Sequence, residues 1–219
     1  MKKELIFLGP PACGKGTQTN RLSEYLGLPH IDTGSLLRAE IAKETEEGLV
    51  AKSFIDKGQL VPIDLVATII GKKLAEEDCK DGYVLDGYPR SLEQAEKLEE
   101  INAKVDGDNK VSFKAIYFDI DTQILLERII YRQSCPVCGE IYNQKFKPSK
   151  VEGICDKCNV PLKTRDDDNA EVAQKRFDTY FEQTAPLVKF YENKGVLYKI
   201  DANGSIDEVW ERLLKVIND

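Results

Sequence analysis

The 219-residue chain is poor in several things that other functions need. Its one histidine, His30, sits at the end of a short β-rich run, which leaves no histidine-based triad and no histidine metal site. No apolar run approaches eighteen residues, so no membrane-spanning helix is expected. The apolar stretch after Met1-Lys2-Lys3-Glu4 covers only Leu5 to Leu8, too short for a secretory signal. A reducing, cytoplasmic location is therefore expected, in which six cysteines read as metal ligands or free thiols rather than disulfides. There is no basic block: 31 Lys+Arg against 38 Asp+Glu leave a net charge of -7. That argues against a protein that holds nucleic acid by its phosphate backbone. Tandem repeats and low-complexity tracts are absent as well.

What remains is an ordinary globular composition, 42% hydrophobic and 32% charged. At roughly 150 residues per domain, the length fits one large domain or one domain carrying inserts. Five β-rich runs stand out, at Glu4–Leu8, His30–Ile31, Tyr83–Leu85, Lys114–Ile120 and Val196–Ile200. Helically spaced apolar residues lie between them, such as Leu65, Ile69 and Ile70, or Ile124, Leu125 and Ile129. Strands alternating with helices predict an α/β fold on a mostly parallel five-stranded sheet. The run 5–8 has no polar residue, as expected of a strand covered on both faces. The stretch from about 169 to 193 reads as one long helix. Two segments look inserted: a helical one at about 32–61, and one at about 134–168 that loses helical periodicity and holds four cysteines.

The first strand runs into Gly9-Pro-Pro-Ala12-Cys13-Gly14-Lys15-Gly16-Thr17 and then a helical stretch. Glycine, four residues, Gly-Lys is the core of a Walker A phosphate loop. A glycine-rich turn entering a helix points backbone N–H groups at one spot, and the helix dipole adds to the pull on an anion. Lys15 would reach the β- and γ-phosphates. The usual Ser/Thr after the lysine is displaced, with Gly16 there and Thr17 next. Cys13 lies beside Lys15 and a helix start, where thiolate is favoured; a buried, inert thiol is the alternative.

Cys135-Pro-Val-Cys138 and Cys155-Asp-Lys-Cys158 are two Cys-x-x-Cys knuckles separated by sixteen residues. Two such turns can close a tetrahedron of thiolates, which suits a structural Zn²⁺ with no open coordination position. An iron centre or unligated thiols are the alternatives. Further motifs are Asp32-Thr33-Gly34-Ser35-Leu36-Leu37-Arg38, Lys57-Gly58-Gln59-Leu60-Val61-Pro62, Asp86-Gly87-Tyr88-Pro89-Arg90 with Gln94, and Arg165-Asp-Asp167-Asp168 followed by Arg176. Asp86, ending a strand beside a phosphate loop, suits holding Mg²⁺ through water. Arg38 and Arg90 offer forked donors for phosphate. Arg128 and Arg132, spaced i,i+4, would share one helical face. Asp167 and Asp168 could also cap the following helix.

In this order, the motifs resemble those of the adenylate kinases among the nucleoside monophosphate kinases, over nearly the whole chain. That resemblance implies a P-loop NTPase-type core (1–31, 62–131 and 170–219), a helical monophosphate-binding domain (32–61) and a zinc-bearing lid (132–169). It implies MgATP + AMP ⇌ 2 ADP, with ATP, AMP and ADP as partners, Zn²⁺ and Mg²⁺ as cofactors, and a monomer that binds neither nucleic acid nor membrane. By resemblance, ATP is held by Ala12 to Thr17, Arg128, Arg132, Ile141, Tyr142 and Gly204. AMP is held by Thr33, Arg38, Gln59, Leu60, Val61, Gly87, Tyr88, Pro89, Arg90 and Gln94, with Gln94 reading adenine. Lys15, Arg90, Arg132, Arg165 and Arg176 would carry catalysis, the last two also clamping AMP-side phosphate. Asp167 and Asp168 would pair with arginines when the lid closes. The chain departs from the family pattern at Ala12, where glycine is usual, and at Gln133, where a second arginine is. An alanine forced to positive φ would strain the loop by roughly 1 kcal/mol. A UMP or CMP kinase is the nearest alternative function, and a P-loop zinc-ribbon protein that binds nucleic acid is a more distant one.

Overall fold

A computed structural model of the chain describes residues 1–107 and 110–218. Its elements run β1 (Lys2–Leu8), α1 (Lys15–Leu26), β2 (His30–Asp32), α2 (Thr33–Ala42), α3 (Glu46–Ile55), α4 (Ile63–Leu74) and β3 (Gly82–Asp86). There follow α5 (Leu92–Asp106), β4 (Val111–Asp119), α6 (Leu125–Ile130), β5 (Arg132–Ser134) and β6 (Ile141–Asn143). The chain ends with α7 (Ala170–Thr179), α8 (Pro186–Asn193), β7 (Leu197–Asp201) and α9 (Ile206–Asn218). Five strands form one sheet in the order β2-β3-β1-β4-β7, every neighbour parallel. This is the P-loop NTPase-type sheet expected from the sequence.

Alternation along β1 explains the three layers. Leu5 and Phe7 face a cluster with Leu22 of α1, Ile129 of α6 and Trp210 and Leu213 of α9. Ile6 and Leu8 face the opposite cluster, with Ile70 of α4, Leu98 of α5 and Leu187 and Tyr191 of α8. A parallel strand buried on both sides has no use for a polar residue, and Leu5 to Leu8 are all buried. The chain leaves β1 toward β2 but leaves β3 in the other direction, toward β4. That reversal opens a crevice between the carboxyl ends of β1 and β3, where α/β sheets bind ligands.

Two stretches differ from the sequence reading. The long helix is broken: α7 stops at Thr179, a π turn spans Tyr180–Thr184, and α8 restarts at Pro186. Proline has no N–H to continue the ladder, so it begins a helix here rather than sitting inside one. Likewise α6 ends at Ile130 and Arg132 opens β5, so Arg128 and Arg132 do not share a helical face. The backbone around Arg132 is spent on the β5–β6 ladder, in which Arg132 pairs with Asn143 and Gln133 with Tyr142.

Candidate active site

One cleft of about 1080 Å³ opens over the carboxyl ends of β1, β2 and β3. The phosphate loop forms its floor. Gly9 has φ +147°, and a Cβ there would sit 2.9 Å from Cys13 Sγ and 3.1 Å from Phe118 Cβ. Ala12 does take positive φ, at 61°. Gly14 precedes α1 with no side chain capping the helix, so the first N–H groups of α1 are left for an anion. Lys15 curls back into the loop, its Nζ donating to the carbonyls of Gly9 (2.6 Å) and Pro10 (3.0 Å), and 3.4 Å from Cys13 Sγ. Cys13 is buried.

Asp32 and Asp86 are partners across β2 and β3, both at the strand ends facing the loop. Burial pushes the Asp86 carboxyl up; Lys15 opposes this and the Asp32 charge adds to it. Thr19 Oγ1 lies 3.4 Å from Asp86 Oδ2. At Asp32 burial also pushes up, but the Arg38 charge and the Ser35 hydroxyl outweigh it and hold the carboxyl below its ordinary value. Asp32 caps α2 by accepting from the N–H of Gly34 (3.0 Å) and Ser35 (3.1 Å), and it also takes an Arg38 N–H at 3.3 Å. Arg90 is held by near neighbours: its N–H donates to Oε1 of Gln94 in α5 and its Nε–H to the Gly87 carbonyl, both at 2.8 Å.

Four charged side chains tie the two flanks of the cysteine-bearing insert together. Arg132 makes a forked pair with Asp168, its Nε at 2.8 Å from Oδ2 and its second nitrogen bonded to Oδ1. Arg176, from α7, reaches Asp167 at 3.1 Å and the same Asp168 oxygen at 3.3 Å. Burial pulls Arg132 down, yet Asp168 raises it above its ordinary value. Burial and the nearby Arg132 charge lower Arg165 and Arg176 to about 10, which leaves both cationic at neutral pH. The capping reading of the two aspartates fails. Asn169 is the N-cap of α7, its side chain accepting the N–H of Val172, so Asp167 and Asp168 are free for the arginines.

Within the insert, the sulfurs of Cys135, Cys138, Cys155 and Cys158 all lie within 4.8 Å of one another. Cys138 and Cys155 sulfurs are 3.7 Å apart. Four thiolates about 2.3 Å from one zinc would stand roughly 3.8 Å from each other, so the donor set and its spacing fit. Backbone N–H groups of Val137 and Cys138 point at Cys135 Sγ, at 3.4 and 3.5 Å. The thiols do not share charge evenly. Burial raises Cys155, but N–H groups of Cys158 and Lys157 and the Tyr142 hydroxyl outweigh it and bring Cys155 down to about 6. Burial raises Cys138, while the neighbouring Cys138 thiol and burial push Cys158 up to about 12.

The structure gathers nearly all of the sequence-derived candidates around one space. Ala12 to Thr17, Thr33, Arg38, Gln59 to Val61, Asp86, Gly87, Pro89, Arg90 and Gln94 line the cleft, as do Arg128, Arg132, Ile141, Tyr142, Arg165, Asp167, Arg176 and Gly204. Tyr88 does not: its side chain is turned into the core between the sheet and its helices. The Tyr142 hydroxyl points away from nucleotide-sized space, 3.6 Å from Cys155 Sγ and accepting the Asp156 N–H at 2.9 Å. Asp168 lies behind the arginines it joins. Asp32 was missed as a charge partner of Arg38; an aspartate just before Thr-Gly at a strand end is a readable cap signal. Phe146, whose ring lies 5.6 Å from the Arg128 guanidinium, carried no sequence signal.

Comparison with known proteins matches residues 7–196 to the adenylate kinase family. The chain belongs to the adenylate kinase family. An adenylate kinase of Fervidobacterium nodosum is 42% identical over 213 residues, 97% of this chain and 96% of its own length. One from Thermodesulfovibrio yellowstonii is 42% identical over 213 residues, covering 97% and 98% of the two chains. One from Clostridium novyi is 43% identical over 209 residues, or 95% of each. Members of this family are phosphotransferases, and so is this chain.

Proposed function

We propose that the chain catalyses MgATP + AMP ⇌ 2 ADP by in-line transfer of the γ-phosphoryl group. The observation that carries this is the convergence of Lys15, Arg38, Arg90, Arg132, Arg165 and Arg176 on one cleft of an acidic protein. MgATP and AMP together bring a charge of about -4, and these six cations offset it. AMP phosphate is already an anionic nucleophile, so no general base is needed; positioning and charge stabilisation carry the rate. The open N–H groups of α1 and Lys15 would take the ATP phosphates, with the ammonium leaving its own loop carbonyls to do so. Arg38 and Arg90 would take AMP phosphate beside the 59–61 strip and Gln94. Arg132, Arg165 and Arg176 would lie between the two, Arg132 held by Asp168 and Arg176 by Asp167 and Asp168.

Magnesium, arriving with ATP, would be held through water at Asp86 and neutralise charge on the β- and γ-phosphates. Zinc would be held by the four cysteines. It would supply folding energy to an insert of about 35 residues that is too small to build a core of its own. The helical segment 32–61 and the insert 132–169 would close over the two nucleotides and keep water from the reacting phosphate. A reducing, cytoplasmic location fits the six cysteines, none of them in a disulfide among the described residues.

The direct test is phosphorus NMR of protein with MgATP and each of AMP, CMP, UMP and GMP. ADP forming fastest with AMP is expected. Faster turnover of CMP or UMP would reassign the acceptor, and no ADP at all would remove the function.

A further inference from the structure

The break between α7 and α8 has a chemical consequence at the acceptor side of the cleft. The Ala185 N–H bonds to the Tyr180 carbonyl, five residues back, at 2.8 Å. Proline at 186 accounts for a missing bond, not for an added residue in the turn. A π turn takes about one residue more than the 3.6 of an α-helix, so residues five apart come nearly into line. In an unbroken α-helix they would stand about 140° apart.

Thr179 and Thr184 are five apart, and their hydroxyls grip two different segments of the cleft wall. Thr184 donates to the Arg90 carbonyl at 2.7 Å and is buried. The Thr179 hydroxyl is 2.8 Å from the Lys175 carbonyl of its own helix and 3.1 Å from the Gly58 carbonyl. Gly58 is packed directly on α7: a Cβ there would meet the Val172 carbonyl oxygen at 3.1 Å and Arg176 Cγ at 3.3 Å. The other two hydrogen bonds that hold Arg90 go to near neighbours in sequence, Gly87 in the same loop and Gln94 in the first turn of α5. Among the described residues, Thr184 is the hydrogen-bonding partner of Arg90 that lies remote in sequence.

We propose that the π turn at 180–184 is a fastening for the acceptor site, with Thr184 a positioning residue for Arg90. This rests on the reading of Arg90 as a ligand of the acceptor phosphate. Thr184 is buried in the cleft wall with its hydroxyl donated to the Arg90 carbonyl, so it fixes the backbone from which the guanidinium reaches.

The test is steady-state kinetics of T184V, which keeps the shape and removes the hydroxyl, beside T184S, which restores it. All are assayed far below their unfolding midpoints. Misplacing a positioned phosphate ligand costs between about tenfold and a hundredfold in rate. T184V should lose that much kcat or kcat/KM for AMP, keep the wild-type KM for ATP, and be rescued by T184S. Should T184V not fold, the smaller T184A carries the same expectation. Wild-type kinetics in a folded T184V, or equal losses toward both nucleotides with no rescue by serine, would overturn the proposal. Absence of ADP formation by the wild type would instead overturn the function on which it rests.

Discussion

Ala12 holds a left-handed conformation, φ 61°, in the loop that would bind phosphate. A Cβ in that region clashes with the neighbouring carbonyl, at a cost of about 1 kcal/mol. A12G should therefore raise the unfolding free energy by roughly that amount, less the extra freedom glycine has in the unfolded chain. Urea titration of the two proteins decides it, and a destabilised A12G would show the loop to be unstrained. Glu4 sits at the opposite end of the sheet from the cleft. It is buried with Lys2 (3.4 Å), Asn102 (2.7 Å), Tyr83 and Asp106, the last itself 2.5 Å from Lys2. Burial first, then the Asp106 charge, raises its pKa from 4.5 to about 7. Between those two values the folded chain keeps a proton that the unfolded chain has released, so stability falls as pH rises through that window. Unfolding free energies at several pH values should show that slope in the wild type and a flatter profile in E4Q; equal slopes would place the titration elsewhere.

Elements carry the second level of organisation, and on the proposed reading of the four cysteines the insert depends most on a bound metal ion. Chelation should release one metal ion per chain. Hydrogen exchange should then speed up across 132–169 while β1, β3 and β4 keep their protection, because the sheet has its own two apolar layers. An insert equally protected with and without metal would show that Tyr142, Cys135 and their neighbours suffice as a core. The same scale shows what a sequence can disclose. β1 was legible as an unbroken apolar run at 5–8, and the five-stranded parallel sheet followed from the alternation of five β-rich runs with helices. Their ends were not. β1 begins at Lys2, because Asp106 neutralises a lysine that reads as surface, and β4 begins at Val111, ahead of the run at Lys114, because it pairs with that lysine. Pro186 was the visible signal that the long helix breaks, while the π turn before it brings Thr179 and Thr184 onto Gly58 and Arg90, partners remote in sequence.

For the whole molecule, the site was legible because phosphate chemistry concentrates in short loops at strand ends, each with its own local motif. The sequence also placed cationic residues in order along the chain. It could not show which faces meet. Asp168 joins arginines on both flanks of the insert across 36 residues, and Tyr88 belongs to an acceptor-side motif yet turns inward. The central proposition is that one continuous cleft seats two nucleotides with their phosphates facing, gripped from both sides by the same arginines. The most direct measurement is calorimetric titration with a bisubstrate mimic, two adenosines joined through five phosphates, against ATP and AMP separately. Two facing subsites predict one mimic per chain, bound at least about a hundredfold more tightly than either nucleotide because the second contact becomes intramolecular. An affinity no better than that of ATP alone, or two mimics bound per chain, would contradict it.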